Sequence, residues 1–182
     1  MRFAEKTITL KDGRTCILKP PAPEMAEEMV GILKQVAAET PFLSRYPDEV
    51  DATPEGEKEF LAGSLESTDS ALVIATVDGK IAGHAGVHGN RARRKIRHRC
   101  TMGISLLEEY WGLGMGTAVI GYLGELAKQM GYEQMELIMV ADNERAGALY
   151  RKCGFAECGR QYRGMKFDDG TYHDEILMVK ML

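Results

Sequence analysis

Three glycines at alternate positions, Gly112, Gly114 and Gly116, separate a strand-like pattern over 95–107 from an amphipathic helix pattern over 117–130. Glycine lets a backbone approach a ligand closely, and the first amides of a helix have no partner within that helix. Those amides and the positive end of the helix dipole favour a bound phosphate group. The sequence therefore predicts a strand–loop–helix unit that holds a phosphate-bearing molecule.

Known phosphate-binding loops differ in the residues that accompany their glycines. A P-loop requires a Lys after its last glycine, and none follows Gly116. The dinucleotide fingerprint requires a glycine where this chain has Thr117 in one frame or Val119 in the other. Two alternatives remain, which are a strand-to-helix turn without a ligand and a loop for the pyrophosphate of an acyl-coenzyme A.

A second motif, between positions 143 and 155, has the pattern of a short capped helix. Asn143 is a favourable N-cap residue, and Gly154 stands where a helix ends in a left-handed residue. Four residues between them follow the spacing of a buried helix face: Ala146, Leu149, Tyr150 and Cys153. Without further context, Tyr150 would be interpreted as a core aromatic residue.

Both motifs resemble those of the GNAT superfamily of N-acetyltransferases. The glycine loop is similar to Gln/Arg-x-x-Gly-x-Gly/Ala, with Trp111 standing where the family usually has Gln or Arg. The segment 143–155 resembles Asn-x-x-Ala-x-x-Leu-Tyr-x-Lys-x-Gly-Phe at every specified position. The resemblance is clear between 71 and 155.

The element order predicted for the whole chain agrees with that resemblance. Turn sequences at Asp12-Gly13 and Asp78-Gly79 predict two hairpins, and prolines at 23 and 54 predict the starts of two helices. A strand over 134–140, the helix after Asn143 and a final strand pair around Gly170 complete the order. We expect a single domain over 1–182 of α/β (α+β type) class, with a mixed, mostly antiparallel sheet flanked by helices. The crossover through the glycine loop should join parallel strands.

The resemblance implies acetyl-CoA as co-substrate and no metal. The cofactor-binding residues would be Leu106, Leu107, Trp111, Gly112, Leu113, Gly114, Met115, Gly116, Thr117, Asn143 and Tyr150. Leu106 and Leu107 are included because the family carries a β-bulge at the end of this strand, where backbone groups bind the pantetheine arm. The strand before Asn143 should splay from its neighbour and open a slot for the thioester.

Tyr150 is the candidate general acid for the leaving thiolate, since a tyrosine hydroxyl is protonated at neutral pH. Many family members place a Glu on the long strand to assist deprotonation of the amine, but 96–107 contains no carboxylate. His98 is a candidate for the base, and His84 and His88 are alternatives. A proton relay through water and backbone carbonyls would also serve.

Acceptor residues are expected between the first two helices, and Glu39 is the best single candidate because a carboxylate attracts a cationic amine. The run Arg91–Arg99 contains six Arg or Lys residues. It is interpreted as a solvated hairpin tip, with a contact to the 3′-phosphate of the coenzyme or to an acidic partner as the alternative.

Composition restricts the other function classes. A net charge of −4 argues against general nucleic-acid binding, and no apolar run reaches membrane-spanning length. The four cysteines lack Cys-x-x-Cys spacing and favour a cytoplasmic protein with reduced thiols. The predicted function is N-acetylation of a primary amine, on a small molecule or a peptide, by direct attack in a ternary complex. The alternative is a non-catalytic acyl-CoA sensor, and a homodimer is compatible with the family.

Overall fold

The computed structural model describes residues 1–89 and 91–182, within which eight strands and four helices form one mixed α/β unit. The elements are β1 (Lys6–Thr9), β2 (Thr15–Lys19), α1 (Ala26–Glu39), α2 (Pro54–Glu66), β3 (Ser70–Val77), β4 (Lys80–Gly89), β5 (Arg99–Leu106), α3 (Met115–Gln129), β6 (Gln134–Val140), α4 (Glu144–Lys152), β7 (Ala156–Lys166) and β8 (Tyr172–Met181). Single 3₁₀ turns lie at Pro23–Met25, Pro47–Glu49 and Glu108–Tyr110. This architecture confirms the predicted fold class.

The strands are ordered β1-β2-β3-β4-β5-β6-β8-β7. Every neighbouring pair is antiparallel except β5 and β6, which are parallel and are joined through α3. The parallel pair is the predicted crossover. It places the start of α3 beside the carboxyl end of β5, where a helix-terminus ligand site is expected.

Local chemistry explains where the helices begin and which faces they bury. Pro54 occupies the first turn of α2, and the Thr53 hydroxyl accepts a hydrogen bond from the Gly56 amide at 3.2 Å. The predicted apolar faces of the first and third helices are buried in the core, as shown by Met29, Val36 and Leu123 at 2% exposure or less. These faces fix both helices against the sheet.

The long strand predicted over 95–107 is shorter in the structure. Residues 91–98 form turns, in which the Ile96 amide bonds the Arg93 carbonyl at 3.0 Å and the Arg99 amide bonds the Ile96 carbonyl at 3.2 Å. The charged run 91–97 lacks apolar alternation, so it has no face to bury in a sheet. The strand begins at Arg99, and His98 therefore lies before it.

The strands β5 and β6 separate soon after they pair. Their ladder covers only Arg99 to Thr101 against Gln134 to Glu136. Beyond it, β5 stays paired with β4 to Leu106, and β6 stays paired with β8 to Val140. The sheet therefore opens at the carboxyl ends of its two parallel strands, as expected for the slot.

The β-bulge expected near Leu106 and Leu107 is not there. The β4–β5 register is regular from Gly83 opposite Leu106 to Gly89 opposite Cys100. The irregularity lies instead between β3 and β4, where Ala82 is the extra residue. Gly83 has φ +154°, and a Cβ there would collide with the Ser105 carbonyl, so the bend depends on glycine.

Among the helices described, none combines the length and apolar character needed to cross a bilayer.

Candidate active site

A cavity of about 1030 Å³ lies beside the opening between β5 and β6. It is lined by 101–106 of β5, 137–140 of β6, the glycine loop, α4 and residues around Leu43. It thus brings together the two sequence motifs. The last glycine of the loop, Gly116, and the first residue of the second motif, Asn143, are 27 positions apart in the chain.

The glycine loop presents the start of α3 to this cavity. Gly112 has φ +77° and Gly114 has φ +92°, both in the left-handed region. Gly114 is the N-cap, and the first hydrogen bond of the helix runs from the Ala118 amide to its carbonyl at 3.2 Å. Within the described residues no group accepts a hydrogen bond from the amides of 115–117. These amides are free to bind an anion.

The lack of a side chain at Gly116 also serves helix packing. A Cβ at this position would lie 2.9 Å from Cδ2 of Leu149 on α4. The third glycine therefore allows α3 and α4 to pack closely, which keeps the loop and Tyr150 in one cavity.

Cationic side chains lie at the glycine-loop end of the cavity. Lys11 and Arg145 line it there, since the Lys11 amide donates to the Leu113 carbonyl at 3.0 Å and the Arg145 guanidinium lies over Trp111. The sequence did not predict Lys11, since it lies about a hundred positions before the loop and no local pattern joins the two. Together these cations favour an anion at the start of α3.

Trp111 connects the loop to β5. Its indole Nε1 donates to the Leu106 carbonyl at 2.8 Å, and the Arg145 guanidinium lies 4.6 Å from the ring centroid. Such a cation–π contact holds the arginine in place. The residue that departs from the usual motif therefore orders a cation beside the loop.

The residues predicted to bind the cofactor divide into two groups. Those that line the cavity are Leu106, Trp111, Gly112, Gly114, Gly116, Thr117, Asn143 and Tyr150. Leu107 and Met115 are buried in the core, and Leu113 packs against the core. The side chains of these last three support the loop instead of facing the cavity, and this division does not concern their backbone groups.

Asn143 caps α4 as its position predicted. Its side-chain oxygen accepts a hydrogen bond from the Ala146 amide at 3.1 Å, and Gly154 beyond the helix has φ +90°. Because the cap fixes the start of α4, it also fixes Tyr150, which lies two turns later on the cavity-lining face.

Tyr150 is half-buried in the cavity wall. Its ring packs edge-on against Phe155, with 5.9 Å between the two ring centroids. Burial raises the pKa of Tyr150 to about 12, because the phenolate is poorly solvated there. The hydroxyl is therefore a proton donor throughout the physiological range.

This raised pKa predicts the alkaline limb of the pH–rate profile. If Tyr150 must be protonated, kcat should not fall between about pH 8 and about pH 10.5, since ionisation needs a pH near the folded-state pKa. The measurement is kcat across this range at saturating substrates, with circular dichroism as the control for folding. A descending limb at the ordinary tyrosine pKa of about 10 would contradict the shift.

The histidines do not supply an obvious base. His98 lies at the amino end of β5, where its carbonyl accepts from the Glu133 and Gln134 amides at 2.7 and 3.2 Å, whereas the cavity is lined by β5 only from Thr101 onward. His88 is exposed and pairs with the Ser70 hydroxyl at 2.7 Å.

His84 has a buried Nδ1 that finds no hydrogen-bond partner within the described residues. Burial, and secondarily the positive charge of Arg45, lower the pKa of His84 to about 4. The imidazole is therefore neutral at neutral pH and a weak proton acceptor, and it is not among the cavity-lining residues.

Glu39, the predicted acceptor residue, has a structural role here. Its Oε1 accepts from the Gln35 amide group at 2.8 Å, and its Oε2 accepts from the Glu108 backbone amide at 2.7 Å. It ties the end of α1 to the turn before the glycine loop. It lines a second cavity, of about 620 Å³, rather than the first.

Glu175 is a cavity-lining carboxylate that the sequence did not reveal. It lies on β8 opposite Val140 of β6, close to the end of the opened strand. Nothing local marks it, because its place depends on β8 inserting between β6 and β7.

The basic run 91–99 lies away from the cavity. Arg91 stacks over Tyr132 at 4.8 Å, and Arg99 pairs with Glu136 at 3.1 Å. Tyr132 follows the far end of α3, a helix of 15 residues and thus about 22 Å long. Within the described residues, no group of three or more His, Cys, Asp or Glu is arranged to hold a metal ion.

The sequence of the chain is similar to those of known acetyltransferases. Residues 35–155 match the model of the Acetyltransferase (GNAT) family. Streptothricin acetyltransferase of Streptomyces lavendulae is 27% identical over 128 residues, which cover 70% of this chain and 64% of that protein. The chain thus spans less than two thirds of the length of this curated relative.

Solved structures share the fold. An acetyltransferase of the GNAT family from Streptococcus pneumoniae superimposes with a TM-score of 0.87 at 30% identity, covering 92% of this chain and 99% of that one. YncA of Salmonella typhimurium, solved with its cofactor acetyl-CoA, has a TM-score of 0.78 at 16% identity. The superposition covers 91% of this chain and 92% of that one. At that identity the second likeness concerns the fold alone.

Proposed function

The chain belongs to the GNAT acetyltransferase family, and from this membership we propose that it is an acetyl-CoA-dependent N-acetyltransferase acting on a primary amine. One observation carries the proposal, namely that the free amides of α3, the slot between β5 and β6 and the protonated Tyr150 line a single cavity. A site for a phosphate-bearing thioester and a proton donor for its thiolate are thereby combined.

The proposed cofactor position follows from the charges and the unpaired backbone. The pyrophosphate lies against the amides of 115–117, with Lys11 and Arg145 beside it. The pantetheine arm lies in the slot, where the side of β5 that faces away from β4 has no strand partner beyond Thr101. Those backbone groups need hydrogen-bond partners, and the amides of pantetheine can provide them.

We propose direct attack in a ternary complex. The amine nitrogen forms a bond to the thioester carbonyl carbon while the carbon–sulfur bond breaks, and the electron pair remains on sulfur. Tyr150 gives its proton to the thiolate, and the proton lost from the amine passes to water or a cavity carboxylate.

The proposal is tested by acceptor-dependent thiol release from acetyl-CoA. Streptothricin is the first acceptor to assay, because a relative is named for it, followed by spermidine, L-lysine and peptides with free N-termini. We expect at least one amine to accelerate release well above the rate without acceptor. Release that no amine accelerates would contradict the proposed function.

Trp111 provides a separate readout of coenzyme binding. It is the single tryptophan of the chain, it borders the cavity, and it stacks with Arg145. Coenzyme A is therefore expected to cause a saturable change in Trp111 fluorescence, because its phosphates would bind the same arginine that stacks on the indole ring. A flat titration would contradict coenzyme binding at this loop. Saturable binding without turnover would instead favour a sensor.

A further inference from the structure

The second cavity adjoins the first. Five residues line both cavities: Thr40, Leu43, Ser44, Met165 and Glu175. Of these five only Glu175 is ionisable. A molecule that occupies the second cavity therefore meets this carboxylate where the two cavities join.

Glu175 lacks the partners that hold its neighbour. The Asp174 carboxylate accepts from Arg160 Nε at 2.8 Å and from the Arg163 amide at 2.9 Å. Glu175 is half-buried, and within the described residues its carboxylate makes no hydrogen bond or ion pair. A partly buried carboxylate without a partner is unfavourable, and a ligand cation can satisfy it.

The opposing strand makes room for this side chain. The β7–β8 register is irregular between Gln161 and Met165. A Cβ built on Gly164, within this irregularity, would lie 2.6 Å from Cγ and 2.8 Å from Cδ of Glu175. Any side chain at 164 would thus displace the carboxylate, and glycine keeps it in position.

The remaining charges of the second cavity do not compete for the same role. The Glu39 carboxylate is occupied by Gln35 and the Glu108 amide. Arg45 and Lys166 are cations and are exposed to solvent. Within the described residues that line the cavity, Glu175 is therefore the carboxylate left free to bind a cation.

We propose that the second cavity is the acceptor subsite and that Glu175 binds the ammonium group of a cationic primary amine there. The ammonium passes one proton to this carboxylate or to water, and its neutral nitrogen then attacks the thioester in the cavity that Tyr150 lines. The inference rests on the proposed function, because it requires that an amine is the acceptor. It assigns amine recognition to β8 and the irregular part of β7.

The test is steady-state kinetics of Glu175→Gln with streptothricin, spermidine and L-lysine as acceptors. The variant loses the negative charge that would bind the ammonium group of the acceptor. The acceptor KM should therefore rise by about tenfold or more. The KM for acetyl-CoA should stay within about twofold. Glu133→Gln, on an exposed turn, is the matched neutralisation and should leave both constants unchanged.

Gly164→Ala tests the same assignment without altering the carboxylate. It should raise the acceptor KM as Glu175→Gln does, since the added methyl group displaces Glu175. Gly159→Ala on the same strand is the control, because its Cβ would make only ordinary contact with Leu177 at 3.8 Å.

The outcomes separate the two proposals. If the wild type turns over any of the three amines while both variants keep the wild-type acceptor KM, the subsite is refuted and the proposed function stands. If the wild type releases no thiol with any of them or with peptides that have free N-termini, the proposed function fails and the subsite fails with it. A raised acceptor KM in Glu175→Gln and Gly164→Ala, with the two controls unchanged, supports the subsite.

Discussion

Replacing Tyr150 with Phe is expected to lower kcat by about a hundredfold or more, the usual contribution of a positioned general acid. Tyr150 lines the cavity, and its partial burial raises its pKa to about 12, so its hydroxyl carries a proton to give. The ring and its contact with Phe155 remain in the variant. The KM for acetyl-CoA should therefore change little.

Tyr162→Phe is the control for this change. Tyr162 is 78% exposed and does not line the cavity, so removing its hydroxyl should leave kcat as in the wild type. Equal kcat values for wild type and Tyr150→Phe would remove Tyr150 from the proton transfer. The thiolate would then have to leave without this acid.

Replacing Gly114 with Val is expected to weaken coenzyme A binding by about a hundredfold, roughly the loss of two charge-assisted hydrogen bonds. Gly114 has φ +92° at the start of α3, where a β-branched residue is strongly disfavoured. The chain must therefore move, and the free amides of 115–117 move with it. The measurement is the dissociation constant from Trp111 fluorescence or calorimetry.

Gly121→Val separates loss of the loop from a general effect on α3. Gly121 lies within the same helix, and a Cβ there meets nothing within 4 Å. This variant should bind coenzyme A as the wild type does. Wild-type affinity in a folded Gly114→Val protein would show that the loop conformation does not determine binding.

Features set by neighbours in the chain could be predicted from the sequence. The Asp78-Gly79 pair forms the expected hairpin turn with φ +51° and +80°, and Asn143 caps its helix. Each of these residues acts on backbone within a few positions, so its type identifies its role. The start of β5 is a local feature that the predicted strand over 95–107 misses, because the charged residues before Arg99 have no apolar face to bury in the sheet.

Features set by long-range packing could not be predicted. Lys11 reaches the glycine loop, and Glu175 reaches the opened end of β6. Their roles depend on the order of strands in the sheet and on side-chain direction. The contact of Glu39 belongs to the same class, since the Glu108 amide that it binds is 69 positions away.

The most direct test of acetyl transfer follows the group itself. Enzyme, trideuteroacetyl-CoA and the amine panel are incubated together, and the amines are analysed by mass spectrometry. The account predicts that at least one amine gains one labelled acetyl group, only when enzyme is present, and that free coenzyme A appears in equal amount. Coenzyme A binding by the glycine loop with every amine left unlabelled would contradict catalysis and leave a binding domain.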